Sequence, residues 1–214
     1  QPRSGEMQEV MEEMSPDDRA RLFEELPAKV VRQLLDQLSP EERKVTAELL
    51  GYEAETAGRL MTTEYIALKE NQTALEALDI VRRRARDTET IYSLYVTDNE
   101  RRLTGILSLR DLVTADPHTL IRDVMTEEVL SVRTNTDQEK VARTIQRYDF
   151  LAVPVVDLEQ RLVGIVTVDD VIDVIEQEAT RDLYAAGAVQ AGDEDDYFSS
   201  NLFTVARRRV VWLA

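Results

Sequence analysis

The chain has 214 residues, no cysteine, one histidine and a formal net charge of −16. Lacking cysteine, it has no disulfide, zinc finger, iron–sulfur centre or thiol nucleophile; one histidine excludes a histidine-rich metal site, and the acidity opposes nucleic acid, whose phosphates would repel it. Hydrophobic residues at 43% suffice for packed cores, the length suits one or two domains, and no apolar run approaches the roughly 18 residues that span a bilayer.

Residues 1–5 read as a frayed start or a remnant and carry no fold information. Met7, Val10, Met11 and Met14 follow helical spacing. Ser15-Pro16-Asp17-Asp18 predicts the start of a second helix, with Ser as N-cap, Pro in the first turn and acids at the positive end of the dipole. Pro27 starts a third, striped by Val30, Val31, Leu34, Leu35 and Leu38. Ser39-Pro40-Glu41-Glu42 repeats the start signal as a capping box, and Gly51 is a stop. The repeated signal predicts stacked helical hairpins that pack on something else to cover their apolar faces.

From about Thr56 the pattern changes to alternating strands and helices, and it is duplicated. Leu103-Thr-Gly105-Ile-Leu-Ser108-Leu-Arg-Asp111-Leu112 matches Leu162-Val-Gly164-Ile-Val-Thr167-Val-Asp-Asp170-Val171, and Leu60-Met61-Thr62 matches Val124-Met125-Thr126. Each copy reads as a short strand (Ile66 to Leu68; Val129 to Val132) and a Thr-capped helix (from Thr73; from Thr136). A β-branched strand (Ile91 to Thr97; Ala152 to Asp157), a polar turn, the Gly-containing strand and a last helix complete it. Two such β-α-β-β-α units, each with an exposed apolar sheet, are expected to pair face to face with pseudo-twofold symmetry. The fold class is therefore α+β: a short all-α helical-hairpin domain, a pair of β-α-β-β-α units and a C-terminal helix.

The most informative element is the acidic helix after Thr167. Asp169, Asp173 and Glu176 share one face, while Val171, Ile172 and Ile175 are assigned to the core. Such a face is either simply solvated or a place where a second acidic surface is drawn in by a cation. The first 58 residues, with a net charge of −7, supply that second surface. Carboxylates without His or Cys select hard cations; acids scattered over separate helices suit Mg2+, which keeps several waters, better than Ca2+, which needs more ligands. His118 reads as a solvated loop residue, Arg82-Arg83-Arg84 as a solvated helix end, and Asp193 to Asp196 as an acidic loop. No nucleophile with an adjacent base and no phosphate-binding loop is present, so no enzyme activity is assigned. Arg207 to Trp212 reads either as a surface helix end or as the cytosolic edge of a membrane segment.

The duplicated Gly-hydrophobic-hydrophobic-Ser/Thr-x-x-Asp resembles a tandem of CBS domains, a Bateman module. The order of a short helical domain, Tyr52 to Thr62, the CBS pair and Asp169 to Asp182 resembles the cytosolic region of MgtE-type magnesium channels or transporters. The resemblance implies a helical N domain at 1–56, CBS units at 57–117 and 118–182, and a connecting helix at 183–214 leading towards a membrane. It also implies a homodimer through the CBS helices, a covalently continuous pore domain, and a place on the cytoplasmic side of the cell membrane. Mg2+ is the implied regulatory ion. Its candidate ligands are Asp17, Glu139, Asp149, Asp170, Asp173, Glu178 and Asp182, with Asp18 as a neighbouring substitute, because Arg21 and Arg181 stand where acids are expected. ATP is a second candidate ligand, with Asp111 for the ribose, Arg110 for phosphate and Phe150 lining an adenine pocket. The reading is a Mg2+-sensing regulatory region that closes a pore; the alternative is an adenine-nucleotide-sensing CBS module of another membrane protein or enzyme.

Overall fold

The computed structural model describes residues 10–186, with side chains to Arg181 except Gln177. Residues 10–13 are helical. They lead into α1 (Pro16–Glu24), α2 (Ala28–Leu35), α3 (Pro40–Leu50) and the single turn α4 (Ala57–Leu60). Met11, Phe23 and Leu38 form a small core of their own, with Val31, Leu34 and Leu35 of α2 packed on it. No residue of α2 is fully buried, so these helices cover their stripe only in part. The remainder joins a larger core: Ala20 of α1 and Leu49 of α3, both 0% exposed, pack in one cluster with Val141, Ile145, Val166, Val171 and Val174 of the second repeat. The expected partner of the helical piece is therefore the second β-α-β-β-α unit.

Start signals that look alike in sequence are used differently. Ser15 occupies the N-cap of α1 without a side-chain cap bond. Ser39 Oγ accepts from Glu42 N at 3.2 Å. The predicted capping box stops there, because the Glu42 carboxylate pairs with Arg19 and Ser39 N instead donates to Glu12 Oε1. Arg19 is 1% exposed and also donates to Thr46 Oγ1 and to the carbonyl of Met14. A buried guanidinium needs such partners, and it has taken the acid from the cap.

Each repeat builds a three-stranded sheet with its middle strand parallel to the first and antiparallel to the third. The first repeat runs β1 (Ala67–Lys69), α5 (Ala74–Arg84), β2 (Ser93–Thr97), β3 (Leu103–Ser108) and α6 (Leu109–Thr114); a 3₁₀ turn at Ile121–Asp123 leads to the second. That repeat runs β4 (Val132–Arg133), α7 (Gln138–Tyr148), β5 (Ala152–Val156), β6 (Leu162–Thr167) and α8 (Val168–Ala186). The chain divides at Val174 into two units, the second beginning at Ile175 inside α8. Thr73 and Glu76 form the full capping box of α5. Thr136 does not cap α7: Asp137 does, accepting from the amides of Glu139 and Lys140, while Thr136 Oγ1 accepts from Arg133 N. The carboxylate accepts from two orphan donors at once.

The two repeats are laced together reciprocally. Thr62, leading into the first, exchanges bonds of 2.9 and 3.0 Å with Ile165 on β6 of the second. Thr126, leading into the second, exchanges bonds of 2.9 and 2.8 Å with Ile106 on β3 of the first. The hairpin turns match as well. Asp98 Oδ1 accepts from the amides of Glu100 and Arg102, and Asp157 Oδ1 from those of Glu159 and Arg161. Arg101 and Gln160 both adopt positive φ, 66° and 65°, and bond across to Leu162 and Leu103. This is the expected pseudo-twofold pairing.

Candidate functional site

The acids of interest gather where α1 meets the start of α8. Asp17, Asp18 and Asp170 each present a carboxylate oxygen, all within 4.8 Å of one another. Among the described residues no other group of three acids or histidines is this close. Pro16 in the first turn of α1 sets the position of Asp17, and Ala20 and Phe23, both buried, fix the helix face. On the other side Thr167, the last residue of β6, donates its hydroxyl to Asp170 Oδ2 at 2.7 Å, while buried Val171 and Val174 anchor the helix that follows.

Electrostatically the group is incomplete. Asp17 is 7% exposed, and its Oδ1 is buried with no hydrogen-bond partner. Burial raises its pKa, with Asp18 adding to the effect. Asp170 is pushed up to about 7, first by burial and then by the charge of Asp17, against the opposing pull of the Thr167 hydroxyl and Arg21. Glu64, on the segment before β1, is also raised to about 7, by burial and then by Glu89, Glu42 and Asp17. Carboxylates that repel one another, from the buried Asp17 with its orphan oxygen through the half-buried Asp170 to the exposed Asp18, are an all-oxygen donor set suited to a hard cation that keeps some of its water. On this observation the residues fit Mg2+.

Not every predicted ligand joins the group. Asp173 lies one turn further on α8 and is engaged by Arg21, whose Nη1 donates to its Oδ2 at 2.7 Å. Glu139 is paired with Arg143 on the exposed side of α7. Asp149 is the exposed left-handed C-cap of α7, with φ 53°. Glu178 accepts from Arg181 Nη1 at 3.0 Å. The side chain of Asp182, the acidic loop and the residues from 187 on lie outside those described. Ile172 and Ile175, assigned to the core, are 51% and 40% exposed; the buried positions are Val171 and Val174, because α8 turns a narrower stripe to the sheet.

In the first repeat Asp111 Oδ2 accepts from Ser108 Oγ at 2.6 Å, and the same hydroxyl accepts from Asp111 N. This copies the Thr167–Asp170 arrangement, but in the first repeat the carboxylate is exposed, as is Arg110. Phe150 is half-buried and stacks on Tyr148 at 5.5 Å. His118 is an exposed turn residue.

Two residues at this junction were not legible beforehand. Arg59, on α4, donates to the carbonyls of Leu49, Leu50 and Tyr52 and pairs with Glu24, tying the end of α3 and α1 to the first CBS-like segment. Three carbonyls at a helix end are a natural seat for a cation, but a lone arginine after a glycine carries no sequence signal for it. Arg21 is the other: the sequence marked it only as standing where an acid is expected, and its pairing with Asp173 depends on the approach of α8 to α1.

A helical domain docked on a reciprocally laced pair of β-α-β-β-α units is the architecture of a tandem CBS module carrying an N-terminal helical domain. The family model for the CBS domain matches residues 57–118 and 121–177, and that for the MgtE intracellular N domain matches residues 3–55. The chain belongs to the MgtE family, and it comprises the helical N domain and CBS pair of that family. It is 53% identical over 162 residues to the magnesium transporter MgtE of Thermus thermophilus, covering 76% of this chain and 36% of that protein. It is 41% identical over 204 residues to the magnesium transporter MgtE of Bacillus subtilis, covering 95% and 45%. The chain thus spans less than half the length of these curated relatives. A solved cytosolic domain of the Mg2+ channel MgtE, in complex with ATP, superposes with a TM-score of 0.77 at 49% identity, over 78% of this chain and 69% of that one. No helix among the described residues is long and apolar enough to cross a membrane.

Proposed function

We propose that this chain is the Mg2+-sensing regulatory region of a magnesium transporter, on the cytoplasmic side of the membrane, and that it holds the transporter's pore closed when the ion is abundant. The observation that carries this reading is the convergence of Asp17 and Asp18 from the helical domain with Asp170 from the second CBS unit, around an unpartnered buried oxygen. A bound Mg2+ supplies two positive charges that cancel the repulsion. Asp17 and Asp170 then hold α1 against the start of α8. When the ion is scarce the same carboxylates repel, and the helical domain is released. Two charges at about 4 Å repel by about 1 kcal/mol in water and by several times that when partly buried, enough to shift a two-state junction. A millimolar response requires only about 4 kcal/mol of binding.

The role is one of binding and switching, and no reaction is assigned. A homodimer through the CBS helices is part of the proposal, supported by exposed apolar side chains at Val113, Leu151 and Ile172. Glu139, Asp149, Glu178 and Asp182 remain proposed ligands for further ions. ATP is proposed as a second ligand, at Arg110, Asp111 and Phe150. What favours it is that the related MgtE cytosolic domain is an ATP complex and that Ser108 holds the Asp111 carboxylate in an exposed position.

The test is small-angle scattering of the chain titrated with Mg2+ at constant ionic strength. The radius of gyration is expected to fall with Mg2+ and not with matched Na+, and the double variant Asp17→Asn, Asp170→Asn is expected to lose the response. A wild-type profile that does not change would overturn the reading.

A further inference from the structure

We propose that Arg21 is a built-in cationic strut between the helical domain and the second CBS unit, which occupies Asp173 and part of Asp170 and leaves this junction a single group of carboxylates for one divalent ion. The inference rests on the ion-binding reading of Asp17, Asp18 and Asp170, and adds to it the number of ions and the state of the junction without metal.

Arg21 stands one helical turn beyond Asp17 and Asp18, on the same face of α1. Its guanidinium reaches across to α8, with Nη1 2.7 Å from Asp173 Oδ2 and Nη2 3.8 Å from Asp170 Oδ1. The planar fork suits two carboxylates at once. Asp170 therefore faces two kinds of partner: the fixed positive charge of Arg21 on one side and the acids Asp17 and Asp18 on the other. Asp173, the acid that a further ion would need, is already neutralised. Asp17, Asp18, Asp170 and Asp173 alone carry a formal charge of about −4, which two divalent ions would cancel; Arg21 lowers it to about −3, which one ion brings to about −1, while a second would make the junction positive. Unlike a bound ion, the arginine cannot leave. It holds a fraction of the molecules docked when the ion is absent, and so lowers the contrast between the two states.

The pair is partly solvated, with side-chain exposures of 35% for Arg21 and 54% for Asp173, so its effect is modest: about a two- to fivefold change in the ratio of docked to undocked molecules. The chain has no native cysteine, so Lys29→Cys and Lys140→Cys, on exposed positions of α2 and α7, give a spin-label pair that reads docking of the helical domain by pulsed electron resonance. In EDTA, Arg21→Gln is expected to lower the docked-to-undocked ratio about two- to fivefold, while at saturating Mg2+ the distance matches the parent. The charge swap Arg21→Asp with Asp173→Arg is expected to restore the ratio in EDTA. Arg21→Asp alone is expected to steepen the Mg2+ titration from a Hill slope near 1 towards 2. Equal ratios in EDTA for the parent and Arg21→Gln would overturn the strut, even where Mg2+ docks both. If Mg2+ moved neither chain while Arg21→Gln still lowered the ratio in EDTA, the ion reading would fall and the strut would stand.

Discussion

Asp17 and Asp170, from opposite regions of the chain, present carboxylate oxygens within 4.8 Å of each other. Folding has thus brought together two like charges that would repel in an ion-free junction. Asp170→Asn keeps the shape and an acceptor for the Thr167 hydroxyl, but removes one of the charges. The expected outcome is a metal-free protein with a higher Tm than wild type and a much smaller rise in Tm on adding Mg2+, both measured by scanning calorimetry.

The same repulsion makes stability depend on pH. Asp170 and Glu64 are each raised to about 7 in the fold, from ordinary values of 3.8 and 4.5. A carboxyl whose pKa rises on folding binds its proton more tightly in the native state. Its contribution is complete below about pH 4 and is lost as pH climbs through 7. Metal-free Tm is therefore expected to fall between pH 5 and 7.5, and Glu64→Gln is expected to flatten the slope. Mg2+ should stabilise more at pH 7.5 than at pH 5, because protons compete for the same oxygens.

The lacing of the two repeats predicts unequal costs at equivalent glycines. A Cβ on Gly164 would stand 2.6 Å from Met61 Sδ and 2.8 Å from the backbone oxygen of Thr62; for one on Gly105 the three nearest atoms all belong to the Met125 side chain, the sulfur at 2.5 Å. A flexible thioether can move aside, whereas a carbonyl bonded to Ile165 N at 3.0 Å cannot without breaking the bridge. Gly164→Ala is expected to cost about 2–3 kcal/mol in urea unfolding and Gly105→Ala about 1 kcal/mol. Adding Met125→Ala is expected to rescue the Gly105 variant, and adding Met61→Ala to leave the Gly164 variant impaired.

Arg59 joins α1, the end of α3 and the start of the CBS pair through three carbonyls and Glu24. Arg59→Gln is expected to lower stability by about 2 kcal/mol, the scale of losing hydrogen bonds to a charged donor. It should also speed amide exchange in residues 48–52, read by mass spectrometry, while the β2–β3 hairpin stays protected.

Period, punctuation and repetition determined a great deal from the sequence alone. The doubled Gly-x-x-Ser/Thr-x-x-Asp and Leu/Val-Met-Thr segments implied two like units, because one backbone solution had been written twice, and the α1 and α3 starts followed from local Ser-Pro-acid chemistry. The hard-cation preference followed from carboxylates without His or Cys. Only the tertiary structure decided which acids meet. Asp17, Asp18 and Asp170 converge because Ala20 and Leu49 share a core with Val171 and Val174, whereas the equally acidic Glu139 and Glu178 were taken by arginines one turn away. Nor did local pattern separate Val171 from Ile172, or show that Asp137 rather than Thr136 caps α7. Those outcomes depend on neighbours distant in sequence, and charge and burial act through distance in space.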